Sequence, residues 1–129
     1  MAPFRAASTL LLAALASTAC AHHVASDDSA APARDTPVPI EVENHNWSDM
    51  VIFLDRGNLS QRLGTVTSQT TTVFTVSYFQ LGTTGGARLR ADPIGALRNF
   101  SSETINLQPG QTIKWTIEND IDRSFLGIY

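Results

Sequence analysis

The chain has 129 residues, 9 basic and 12 acidic, for a formal net charge of −3, and one cysteine. A weakly acidic chain lacks the clustered Lys and Arg by which proteins hold phosphate backbones, so nucleic acid is excluded as a partner. A lone thiol excludes an internal disulfide, and the length allows one small domain whose stability must come from packing.

The first element is an export leader. Arg5 and the amino terminus supply a modest positive start, and Thr9 to Ala16 form an apolar segment of Leu and Ala closed by Ser17, Thr18 and Ala19. That segment is too short to span a bilayer, which takes about 20 apolar residues. Leu15-Ala16-Ser17-Thr18-Ala19-Cys20 resembles the lipobox of bacterial lipoproteins, although Ser17 stands where that family usually carries leucine. The resemblance implies cleavage before Cys20, acylation of its thiol and export, and Ala21 after the cysteine resembles lipoproteins sorted to the outer membrane. Ordinary signal cleavage after Ala19 or Ala21 also fits the small residues at the cut.

From Cys20 to Pro37 the chain is small, polar and proline-containing, with too few apolar groups to offset the entropy of ordering. This predicts a flexible tether over 20–37, after a leader over 1–19 and before a domain over 38–129. His22-His23 within it lacks the further ligands a metal site needs.

The domain reads as strands. Val38, Ile40 and Val42 alternate with Pro39, Glu41 and Glu43, a half-buried strand with carboxylates toward solvent. Met50 to Leu54 is continuously apolar, as in a strand covered on both faces. A turn at Asp55-Arg56-Gly57-Asn58 leads to a strand over 61–66, and Thr70 to Phe79 is rich in β-formers. Ala87, Leu89 and Ala91 alternate with Arg88, Arg90 and Asp92, and Arg88, Arg90 and Arg62 suggest a basic face. A helical turn fits 92–97. Strand 102–107 meets Gln108-Pro109-Gly110-Gln111, a type II turn that predicts a hairpin to the strand of Ile113, Trp115 and Ile117. A last strand covers 124–129. Strands at this spacing predict a single antiparallel β-sandwich of about seven to eight strands. Leu107 to Trp115 resembles the strand-turn-strand of immunoglobulin-like and cupredoxin-like sandwiches.

The chemistry is sparse. Blue copper needs two histidines and a cysteine, and the domain offers His45, Met50 and no cysteine. A serine nucleophile needs an oriented base, whereas His45 stands alone without a nucleophile elbow. Glu118, Asp120 and Asp122 alternate as a weak calcium candidate, though the glycine and distal glutamate of an EF-hand are missing. His45, Trp47 and Asp49 form the one candidate ligand-binding group. Trp47 is a stacking platform for a sugar or a protein, unless it folds over the sandwich end and caps the core, which aromatic chemistry favours. Trp115, in phase with Ile113 and Ile117, is core.

These observations point to a non-enzymatic envelope lipoprotein, without cofactor, anchored in the membrane through Cys20. It would work through an envelope protein partner or, alternatively, bind glycan or peptidoglycan with the Trp47 loop.

Overall fold

The computed structural model describes residues 36–82 and 86–129. The expected leader, the Cys20 expected to be lipidated and all but the last two residues of the expected tether lie outside these. Eight strands follow: β1 (Pro37–Asn44), β2 (Met50–Arg56), β3 (Leu59–Val66), β4 (Thr70–Ser77), β5 (Ala87–Pro93), β6 (Phe100–Ser101), β7 (Ile113–Ile117) and β8 (Phe125–Ile128). One helical turn, α1 (Tyr78–Leu81), follows β4, and a 3₁₀ turn covers Ile121–Arg123.

The strands form two four-stranded sheets, ordered β4-β1-β7-β8 and β3-β2-β5-β6. The fold is thus the small all-β sandwich that the strand pattern predicts. One pairing departs from a wholly antiparallel arrangement: β1 and β7 run parallel, Ile40 opposite Ile113 through Asn44 opposite Ile117.

Period-two patterning places the core. Val38, Ile40 and Val42 of β1, Met50, Ile52 and Leu54 of β2, and Ile113, Trp115 and Ile117 of β7 are buried between the sheets. Each such aliphatic side chain contributes about 1.5–3 kcal/mol on burial. β2 is central but not covered on both faces. Val51 and Phe53 are only half-buried, and the outward ring of Phe53 lies 4.3 Å beneath the Arg90 guanidinium. A cation over a ring face masks an apolar surface that the run of five apolar residues had suggested was buried.

Four further expectations are corrected. The type II turn forms, with Gly110 at φ 88° and Gln111 N donating to Gln108 O at 3.2 Å. It joins no hairpin, however. Ile105 bridges Ala87 of one sheet while Ile113 lies in the other, so the turn carries the chain across the sandwich. Of the strand expected over 102–107 only that bridge and the bond from Ser102 N to Leu89 O at 2.7 Å form; the Ser102 hydroxyl, in place of a backbone carbonyl, accepts from Leu89 N at 3.0 Å and donates to Glu103 O. Residues 92–97 are not helical, since Asp92 and Pro93 extend β5; the helical turn falls at 78–81, capped by Gln80 Oε1 accepting from Ser77 N. Nor do the arginines form a basic face. Arg90 is paired with Asp55, at 2.8 Å, and with Asp92, while Arg62 and Arg88 donate to Thr65 and Thr104.

Strand directions alternate strictly along the chain. The connections 45–49, 67–69, 94–99 and 118–124 therefore gather at one pole, and β1 begins at the opposite pole. We call these the loop pole and the entry pole.

Candidate functional site

The loop pole is built on asparagine. Asn44, fully buried at the end of β1, donates from Nδ2 to Ser48 O (2.9 Å), Val66 O (3.2 Å) and Thr67 O (3.3 Å). Its Oδ1 accepts from Asn46 N at 2.9 Å, and Asn46 Oδ1 accepts from Ser48 N at 2.9 Å. These are two successive side-chain turns, the alternative that Asn offers a backbone in place of a ladder. Asn46 Nδ2 also donates to Glu118 O (3.2 Å) and Asn119 O (3.1 Å), tying loop 45–49 to loop 118–124.

The third and fourth loops join the same network. Ser68 Oγ donates to Asn46 O at 2.8 Å, and Gln69, at φ 57°, donates from Nε2 to His45 O and Asn46 O. Ile94 N donates to Asp49 O at 2.8 Å. Arg98 Nη2 donates to both carboxylate oxygens of Asp122, each at 2.7 Å.

The three candidate ligand-binding residues take three different positions. Asp49 faces inward: its Oδ1 accepts from Ser68 N at 2.8 Å, so it supports the scaffold. His45 is half-exposed between two carboxylates, with Nε2 3.0 Å from Glu43 and Nδ1 3.3 Å from Glu118. The hydrogen bond with Glu43, followed by that with Glu118, holds its pKa above the ordinary value, and His45 and Lys114 in turn hold Glu43 low. Two carboxylates on the two ring nitrogens favour imidazolium, a form with no lone pair for general-base chemistry. Trp47 is 75% exposed, so it does not cap the core. Its neighbours Asn46 and Ser48 are already committed to the loop scaffold, which leaves the indole turned out. Exposure leaves roughly 3–4 kcal/mol of apolar burial unrealised on this one side chain.

Two of the three expected calcium ligands are drawn to cations instead: Glu118 faces His45 and Asp122 faces Arg98. Among the described residues, no three His, Cys, Asp or Glu side chains group to hold a metal ion. Glu118, Asn119, Asp120 and Arg123 instead line a polar depression of 510 Å³.

Two features of the pole escaped sequence reasoning. Ile94 and Leu97 stand exposed on loop 94–99, beside the Asp49 contact. The scaffold residues Asn44, Asn46 and Gln69 were also missed, although Asn-x-Asn-x-Ser is the spacing that successive side-chain turns require. No protein-family model and no curated protein matches this chain.

Proposed function

We propose that this chain is a non-enzymatic interaction module of the bacterial cell envelope, exported by its leader and anchored through acylated Cys20. The anchor side rests on the lipobox-like segment and the polar tether. The observation that carries the interaction reading is the placement of apolar side chains at the loop pole. Trp47, Ile94 and Leu97 are exposed on loops held by hydrogen bonds, at the end of the sandwich farthest from Pro37, where the chain enters. A leash at one pole presents the other to its surroundings. Rigidly held aromatic and aliphatic groups bind a protein partner at low entropic cost.

The test is position-specific photocrosslinking in intact cells. A photoreactive residue at Leu97 should give a discrete protein adduct, whereas one at Phe79, on the entry pole, should not. Trp47→Ala should abolish the Leu97 adduct without changing the melting temperature. Equal adducts from both poles, or an adduct indifferent to Trp47, would remove this reading.

A glycan reading keeps one observation of its own, the polar depression of Glu118, Asn119, Asp120 and Arg123 on the loop tied to Asn46. It requires Trp47 fluorescence to respond to soluble peptidoglycan fragments, and that response to vanish in Trp47→Phe.

A further inference from the structure

The two long sides of the sandwich are not alike. On the side of β3 and β4 the seam is closed. The Phe74 ring lies so near Gly64 that a Cβ there would come within 2.6 Å of it, so glycine alone admits the ring. On the side of β6 and β8 the seam is an open groove of 380 Å³. One wall is a consecutive stretch that includes Phe100, Ser102 and Glu103. The other is a consecutive stretch that includes Phe125 and Leu126, and Trp115 lies between them. Two walls of consecutive residues, one of them in β8, make a groove shaped for an extended chain.

The β8 wall also carries free backbone groups. Thr112 and Tyr129 exchange both hydrogen bonds, N to O at 2.9 and 3.0 Å. Antiparallel pairs alternate, so Gly127 and Phe125 likewise bond toward β7, and the N–H and C=O of Leu126 and Ile128 point to the free edge. Edge strands are normally guarded by lysine, proline, a bulge or an inward charge. The sequence Phe-Leu-Gly-Ile has none of these.

We propose that this seam is a second docking site, and that its occupant is an extended, uncharged strand of a partner protein. That strand would pair with β8 through Leu126 and Ile128 and lay an apolar side chain between Phe100 and Leu126, above the buried Trp115. Edge addition of this kind draws its affinity from main-chain bonds and its selectivity from alternate side chains. The rim carries both signs, Arg88 and Glu103, with Asp122 neutralised by Arg98, so it favours neither an acidic nor a basic strand. The chain's own preceding segment is a poor occupant, since from Ala21 to Pro37 it holds one β-branched apolar residue, Val24, with aspartates and prolines. The seam shares Asp122 with the loop pole, but the proposal rests on the β8 edge and stands or falls without Trp47.

The experiment uses the full ¹⁵N-labelled chain in detergent micelles, and a capped peptide Thr-Val-Thr-Phe-Thr-Val-Thr as probe. At about 1 mM peptide, an ordinary concentration for a weak strand addition, the Trp115 indole N–H resonance should shift. Amide exchange of Leu126 and Ile128 should slow by about tenfold or more, with that of Gly127 unchanged. The same peptide N-methylated at alternate bonds keeps its side chains and should do neither. Phe125→Lys, a guarding charge on a 56% exposed side chain, should abolish the effect and leave the fold intact. Unchanged exchange at Leu126 and Ile128 would overturn the proposal, as would an equal response to the methylated peptide. Protection that exists without peptide and fades on dilution would overturn it too, by assigning the edge to a second copy of this chain.

Discussion

The two tryptophans show how one residue type meets opposite fates. Trp115 is fully buried and stacks on Phe100, ring centroids 6.0 Å apart and planes 25° from parallel. Its Nε1–H finds no acceptor, and burying an unpaired donor costs about 1–3 kcal/mol. Ring burial outweighs that loss. Trp115→Ala is therefore expected to cost roughly 3–5 kcal/mol, a large share of the about 5–15 kcal/mol that holds a small domain folded. Trp115→Phe keeps an aromatic ring and removes the unpaired donor, so it should cost clearly less. Denaturant unfolding of both variants checks this, and equal losses would show that the ring contributes little. Trp47 lies in a loop whose hydrogen bonds are satisfied by its neighbours, so nothing draws it inward.

At the scale of the element, the parallel pairing of β1 with β7 creates a charge ladder. Glu41 and Lys114 lie directly opposite each other; Lys114 Nζ is 3.2 Å from Glu41 and 3.1 Å from Glu43, and Glu43 continues to His45 and Glu118. Each rung is partly exposed, so each alone contributes little to stability. The ladder instead sets a pH dependence. The folded pKa of His45 is raised, so its contribution is fully present below the ordinary value of 6.5 and lost as pH rises through the folded value. The folded pKa of Glu43 is lowered, so its contribution is present above the ordinary carboxylate value and lost as pH falls through the depressed one. Proton titration by NMR should place His45 above 6.5, and Glu43→Gln should move it down more than Glu118→Gln does. A His45 titration insensitive to Glu43 would contradict the geometry.

For the whole molecule, the alternating strand directions decide what faces where. All four odd-to-even connections share the pole opposite the entry of β1, so an anchor before Pro37 and a binding surface at Trp47 would not compete for one end. Cys20→Ala should leave the melting temperature unchanged and move the protein from the membrane fraction to the soluble one. Unaltered membrane retention would remove lipidation as the anchor. Among the described residues no helix is long and apolar enough to cross a membrane.

The sequence by itself determined the strands with strong alternation, β1, β5 and β7, and the inward phase of Trp115, because a period of two is a local property of a half-buried strand. It also determined the turn at Pro109-Gly110, where a positive φ calls for glycine. Only the tertiary structure decided that this turn crosses between sheets, that β1 and β7 run parallel, and that Asn44 and Asn46 bind three loops into one pole. It alone decided that Trp47 faces outward and that one seam of the sandwich stays open. Those outcomes depend on hydrogen bonds and contacts between residues tens of positions apart, and periodicity carries no record of which distant partner a residue meets.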